Sequence, residues 1–275
     1  MDDTLKILTV GFLSFLTFHG GLERRSARAS DRQMREAFQG TGTVRSVVAS
    51  RGMFGLLAND IWSIDIYSAH QTSDRLPFYV IPKRGWKGSI RHLRLHFSEF
   101  TLAGLPIDRL EADIPFATYD LGHALYKNRL VLRGAGEGPA LVQVGENGMQ
   151  TFIARKYPRL MREVKVAIAD GRVVVSGKLA LFTGFSPFSV TGALTPRDGR
   201  YLDLTDPAVE IDGKPLDAAA ARSLLKTINP VLDSDLDLKL GGFFHLARVE
   251  VGQGSLTIRG TATVPLSPPS AVPRR

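Results

Sequence analysis

Residues 162–182 read REVKVAIADGRVVVSGKLALF, and this stretch decides the fold class. Val164, Val166 and Ile168 alternate with polar or small neighbours, and Val173 and Val175 then follow the same rule. A period of two sends alternate side chains to opposite faces, so each run predicts a half-buried β-strand. Ala169-Asp170-Gly171 lies between the runs, and Asp and Gly tolerate the backbone of a tight turn. Strands joined that closely pair antiparallel, so the stretch predicts a β-hairpin.

The pattern recurs in both directions. Trp62, Ile64 and Ile66 alternate with polar residues, and Leu93, Leu95 and Phe97 alternate with His92, Arg94 and His96. Val249 and Val251, then Leu256 and Ile258, repeat it near the other end, and Asp198-Gly199, Asp212-Gly213 and Gly252-Gln253-Gly254 mark turns. Three segments carry helical spacing instead. Residues 119–127 form a short one. Residues 147–160 place Met149, Phe152, Ile153, Tyr157 and Leu160 on one stripe, with Pro158 ending or kinking it. Residues 216–232 open on Asp217 as N-cap, present Ala221, Leu224, Leu225 and Ile228, and stop or bend at Pro230. Hairpins follow the second and third helices, at 162–182 and 235–264, which suggests two β/α halves. The expected architecture is α+β: a long curved antiparallel β-sheet wrapped on two or three helices, in a single domain over residues 31–264.

Composition sets outer limits. The chain has 275 residues with a hydrophobic fraction of 44% and 15 Phe, ample material for one large core. Lys and Arg exceed Asp and Glu, 35 − 27 = +8, which favours nucleic acid, anionic lipid headgroups or acidic polymers, or serves solubility alone. Cys is absent, which excludes disulfides, thiolate metal sites and a Cys nucleophile. Residues 7–18 read ILTVGFLSFLTF, too short for a bilayer core that takes about 20 residues, but suited to the apolar part of a secretory signal. Its charge order is reversed, with Asp2 and Asp3 before the run and Arg24, Arg25 and Arg28 after it. Residues 1–30 are expected to be a signal sequence or N-terminal anchor, which places the protein in the cell envelope. A buried amino-terminal helix or a misassigned start is the alternative. Residues 265–275, PLSPPSAVPRR, are expected to be a disordered Pro-rich tail.

Motifs for chemistry fail one by one. Asp233-Ser-Asp235-Leu-Asp237 imitates the start of a calcium loop, but Leu238 stands where Gly is needed and Phe244 where the bidentate Glu should be. A strand edge accounts for it better, with Asp235, Asp237 and Lys239 in water and Leu236, Leu238 and Leu240 inward. His92 and His96 share a strand face with Arg94, whose charge opposes a divalent cation. Gly134-Ala-Gly136-Glu-Gly138 is neither a dinucleotide fingerprint nor a P-loop, and Gly184-Phe-Ser186-Pro187 lacks the second Gly of a nucleophile elbow. No catalytic residue, metal or cofactor is expected.

Apolar residues at bends point elsewhere. Leu105 follows one bend, Phe182, Phe185 and Phe188 surround a second, and Phe243 and Phe244 form a third. Exposed aromatics at such places need a cover: another element, a membrane or a ligand. Basic and aromatic residues interleave from Arg75 to Phe97, including Arg84 and Lys87, and Arg155 and Lys156 add to the charge. That mixture fits a nucleic-acid or an anionic membrane surface, and the absence of any nucleic-acid motif favours the membrane.

From about Ala49 to Val264 the chain resembles the LmeA-like phospholipid-binding family of bacterial envelope proteins. The resemblance is carried by Phe100-Thr-Leu-Ala-Gly-Leu-Pro106, by Ala140-Leu-Val-Gln-Val144 leading into Glu146-Asn-Gly-Met-Gln-Thr-Phe152, and by Gly171-Arg-Val-Val-Val-Ser-Gly177. Leu224-Leu-Lys-Thr-Ile-Asn-Pro-Val-Leu232 and Val249-Glu-Val-Gly-Gln-Gly-Ser-Leu-Thr-Ile-Arg-Gly260 complete it. Each motif is weak, but their order and spacing are specific. The resemblance implies a build similar to tubular lipid-binding proteins, phospholipid binding, a role in envelope glycolipid assembly and no catalytic residues.

The combined expectation is a non-enzymatic binder of phospholipid or glycolipid with peripheral membrane contact. Phe152, Ile153, Leu224, Leu225 and Ile228 would line an acyl groove between sheet and helices. Leu105, Phe182, Phe185, Phe188, Phe243 and Phe244 would sit at its mouth or touch the bilayer. Arg84, Lys87, Arg155 and Lys156 would meet headgroup phosphates. An envelope scaffold for an anionic polymer or partner protein, and a glycolipid-processing enzyme, are the alternatives.

Overall fold

The computed structural model describes residues 42–50, 60–82, 85–127, 129–181 and 184–266, with Asp31, Arg35 and Phe38. The expected signal segment, residues 1–30, and all but the first two residues of the expected tail lie outside the described residues. The first half runs β1 (Thr43–Ser50), β2 (Asp60–Ala69), β3 (Thr72–Ser73), β4 (Lys87–Leu102), β5 (Leu105–Asp120), α1 (Leu121–Lys127), β6 (Leu132–Gly134) and β7 (Glu137–Gly145). Next come α2 (Glu146–Lys156), β8 (Met161–Ala169), β9 (Arg172–Leu181), β10 (Gly184–Arg197), β11 (Tyr201–Ile211) and β12 (Lys214–Pro215). The chain closes with α3 (Ala218–Ile228), β13 (Leu232–Asp233), β14 (Phe244–Val251) and β15 (Ser255–Thr263).

The protein is mostly β-sheet with few helices, an α+β arrangement. Two sheets replace the single long one expected. The larger has the order β1-β2-β4-β5-β7-β15-β14, with β3 beside β4 and β6 beside β5; the smaller has the order β12-β11-β10-β9-β8, with β13 beside β11. The hairpin of residues 162–182 is present as β8 and β9, with Ile168 opposite Val173 and Asp170 and Gly171 in the turn at φ 52° and 76°. Pairing is not purely antiparallel: β2 and β3 run parallel to β4. The chain between β2 and β4 is long enough to return before re-entering the sheet, which a hairpin turn does not allow.

The closing hairpin, β14 and β15, joins the larger sheet, where β15 pairs with β7 from Ser255↔Gly145 to Thr263↔Glu137. Two bonds then stitch the sheets together. Gly254 N donates to the Ile168 carbonyl at 2.8 Å, and Leu246 N donates to the Gly199 carbonyl at 2.7 Å. Between the sheets lies α2, burying Gly148, Met149, Phe152 and Ile153. Its first residue, Glu146, accepts a 2.8 Å bond from Ile168 N, tying it to the smaller sheet.

The helices are shorter than their spacing suggested. Residue 119 and 120 positions belong to β5, α2 gives way to a turn at Tyr157 before Pro158, and α3 ends at Ile228 before Pro230. The acidic run at 233–237 also departs from expectation, since only Asp233 lies in a strand, at the end of β13, and residues 234–237 form turns. Asp233 accepts bonds from Asp235 N and Leu236 N at 2.9 and 3.1 Å, and Asp237 accepts one from Asp233 N at 2.8 Å. Such short-range bonds compete with strand pairing. Leu238 and Leu240 face the core as expected, whereas Leu236 is 74% exposed.

Candidate apolar binding site

Two apolar cavities lie in the interior. The first is walled by the inner face of the larger sheet (Leu105, Ile107, Val142) and closed by Leu240, Phe243 and Phe244. The second lies between α2 and the smaller sheet, with Ile153, Phe188, Val190, Leu204 and Ile228 on its walls. Met149 on α2 lines both. On either side of it, alternate residues of β11, Leu202 and Leu204, face one cavity each, as do the consecutive Val231 and Leu232. Both cavities are narrow slits of about 30 Å³. Side chains must part for anything longer to enter, and an unbranched Met at the junction adapts to that more readily than a branched residue.

The end of α2 and the exit of α3 are clamped together at the second cavity. Tyr157 Oη donates to the Ile228 carbonyl at 2.9 Å. Lys156 Nζ donates to the carbonyls of Pro230 and Val231 at 3.2 and 3.0 Å and meets Asp237 at 2.6 Å. Asn229 bonds Leu204 of β11 twice, its side chain accepting from the N–H and donating to the carbonyl, both at 2.9 Å. In the Ile-Asn-Pro-Val-Leu run, the carbonyls of Ile228, Pro230 and Val231 and the Asn229 side chain all hold the cavity wall. Burial pushes the Tyr157 phenol up to about 12, with the Asp237 charge adding to it. The one titratable side chain on this cavity therefore stays neutral near pH 7.

Of the expected groove residues, Ile153 and Ile228 line the second cavity, and Phe152 is buried on α2 with Lys156 Nζ 5.8 Å from its ring centre. Leu224 and Leu225 are half-buried and pack on the core without lining either cavity. The residues expected at an exposed mouth are mostly inside. Leu105, Phe243 and Phe244 line the first cavity and Phe188 the second, at 1%, 2%, 7% and 5% exposure. The reason is turn geometry. Gly241 and Gly242 at φ 56° and 82° fold the chain back, so Phe243 packs on Phe78 with ring centres 6.4 Å apart. Phe185 is 40% exposed under the Arg162 guanidinium at 4.1 Å, and Phe182 lies outside the described residues.

The headgroup candidates divide likewise. Lys156 is committed to the clamp. Arg155 donates to the Ala103 carbonyl and lies over Gly104, at φ 80°, where any side chain would collide with it. Lys87 is exposed at the start of β4, and Arg84 lies outside the described residues.

On the outer face of the larger sheet, the expected basic strip is a charge-paired ladder. Arg91 pairs with Asp60 at 3.3 Å, Arg94 with Asp65 and Asp113 at 3.4 and 3.5 Å, and His92 Nδ1 with Asp113 at 3.0 Å. Ser63 stands beside His92 on the neighbouring strand, but its hydroxyl donates to Asp65 at 2.8 Å. No nucleophile–base bond joins it to the His92–Asp113 pair. Among the described residues no group of three His, Cys, Asp or Glu side chains is placed to hold a metal.

A scan against family models matches residues 86–261 to the LmeA-like phospholipid-binding family. The chain belongs to the LmeA-like phospholipid-binding family. The match spans the long β4–β5 hairpin, α2, the clamp and the closing hairpin, which together carry both cavities. LmeA-like proteins are described by phospholipid binding and not as enzymes, so lipid is the ligand class. No curated protein and no solved structure gives a match.

Sequence reasoning missed Met149 as a shared wall and β11 as a divider. Leu202 and Leu204 alternate in Tyr-Leu-Asp-Leu-Thr, so the strand was readable. Its position between two cavities was not.

Proposed function

We propose that this protein binds one two-chain phospholipid or glycolipid, with an acyl chain in each cavity and Met149 at the point where the chains diverge. The observation that carries this reading is the pair of apolar slits meeting at one flexible side chain. Each buried methylene is worth about 0.8 kcal/mol, so about ten per chain supply enough for micromolar or tighter binding after the costs of ordering. The walls are almost wholly apolar, and Glu111, the acidic residue on the first cavity, has its carboxylate paired with Arg109 at 2.6 Å, which suits hydrocarbon. On this reading the two sheets and α2 would serve as a tubular lipid-binding build, which the packing of α2 against both sheets supports. The function is binding, extending to transfer, without catalysis. The cell envelope is its place, on the strength of the amino-terminal apolar run, and membrane contact is peripheral.

Native mass spectrometry with organic extraction, on protein purified from a membrane-containing host, tests this directly. One diacyl lipid per chain that persists at high salt is expected. Protein free of lipid that also takes none from liposomes sinks the reading and leaves a lipid-free envelope scaffold. A single-chain fatty acid only would remove the two-cavity assignment.

A further inference from the structure

The three most exposed aromatic side chains among the described residues are Trp86, Phe116 and Tyr126, at 73%, 77% and 81%. They are gathered at one end of the larger sheet. Lys87 opens β4 opposite Asp120, which closes β5. The Trp86 carbonyl accepts from Leu121 N at 3.1 Å, setting Trp86 beside the start of α1, which carries Tyr126. Phe116 sits four residues before the end of β5, at φ 53°, between the in-register pairs Ile90↔Ala117 and His92↔Pro115. Leu266, 67% exposed, belongs to the same end, because it bridges Val80, which bridges Leu132 next to Tyr119.

Three exposed cations stand at this end. Lys87, Lys127 and Arg129 are exposed and have no carboxylate partner among the described residues. The carboxylates nearby have partners of their own: Asp60 has Ser89 and Arg91, Asp120 has His123 and Arg133, and Glu137, beside Pro115, accepts from the Thr261 hydroxyl. A positive φ on a bulky residue such as Phe is costly, so Phe116 is held outward against a local preference.

From this we infer that the end of the larger sheet bearing Trp86, Phe116 and Tyr126 docks on an anionic lipid bilayer. Trp and Tyr favour the headgroup zone, where an apolar ring meets a polar edge, and unpaired Lys and Arg favour anionic lipid. Protein interfaces are depleted in Lys, so two Lys among the aromatics argue for a membrane over a partner protein. The docking end is remote from the first cavity, whose wall residues Leu102, Leu105 and Ile107 lie at the opposite end of the β4–β5 hairpin. The inference rests on the lipid-binding reading for its biological sense but not for its test.

The test uses full-length Trp62→Phe protein, in which Trp86 is the remaining Trp of two. Vesicles of phosphatidylcholine with phosphatidylglycerol are expected to shift Trp86 emission to the blue, and bromine-labelled acyl chains to quench it. Lys87→Gln/Lys127→Gln/Arg129→Gln is expected to weaken binding to these vesicles by on the order of a hundredfold. Trp86→Ser/Phe116→Asn/Tyr126→Ser, in protein with Trp62 intact, should weaken it about tenfold or more while leaving the melting curve and co-purified lipid unchanged. An unshifted Trp86, or both variants binding like the parent, overturns the inference. So does a parent protein that ignores vesicles but dimerises through this face. Lipid missing from the parent would count against the cavity reading alone, since vesicle docking is measured separately.

Discussion

The helices α2 and α3 have the same length, eleven residues each, and are held in opposite ways. In α3 the determinants are local: the Asp217 carboxylate accepts from Ala219 N and Ala220 N, both at 2.8 Å, and Ala221 and Ile228 are the buried residues. No side chain caps α2, yet it buries four residues between two sheets and ends in the clamp built by Lys156 and Tyr157. The pair teaches that a cap can start a helix on a surface, while a helix at a ligand site is fixed by what surrounds it.

That contrast can be broken most forcefully at Phe152. Phe152→Ala should cost about 3–5 kcal/mol in urea unfolding, because a fully buried ring leaves a cavity that α2 cannot close. A loss under about 1 kcal/mol would mean that α2 is not held by packing.

Alkaline pH probes the clamp next. Tyr157 is raised from 10.0 to about 12 by burial and then by Asp237. Its contribution is complete below pH 10 and is lost as pH rises through about 12. Tyr119, also raised to about 12, adds a similar slope, so Tyr157→Phe should flatten the alkaline decline by about half. An unaltered pH profile in that variant would separate Tyr157 from the stability of the clamp.

The smallest effect belongs to α3. Asp217→Ala removes two cap bonds at an exposed position and should cost about 1 kcal/mol. Unchanged lipid content is expected with it, which sharpens the division between a helix started by a side-chain cap and one started without it.

The same division governs what could be read from sequence. Period-two runs located β2, β4, β8, β9, β14 and β15, and Asp217 announced α3, because both signals are local. The parallel entry of β2 beside β4 carries no local signal and emerges only when residues far apart in sequence meet. Aromatics beside glycines were read as exposed because bends usually are. Gly241 and Gly242 instead turn Phe243 inward, and nothing within the run distinguishes the two outcomes. Lys156 looked like a headgroup ligand for a similar reason, since its partners at 230, 231 and 237 are distant in the chain. The exposed end of the larger sheet was legible in part: Trp86 and Lys87 stood in the basic, aromatic stretch, but Phe116 faces out through a backbone twist invisible to patterning.

The pairing of β7 with β15 has a consequence for how the chain is made. Gly145 must wait for Ser255, so at about 5–20 residues per second β7 stays unpaired along one edge for about 5–20 s of synthesis. Nucleating that contact also closes a loop of more than a hundred residues, the kind of distant pairing that slows folding. During this interval the strand is an open template for other chains, and early-acting chaperones would find their target there.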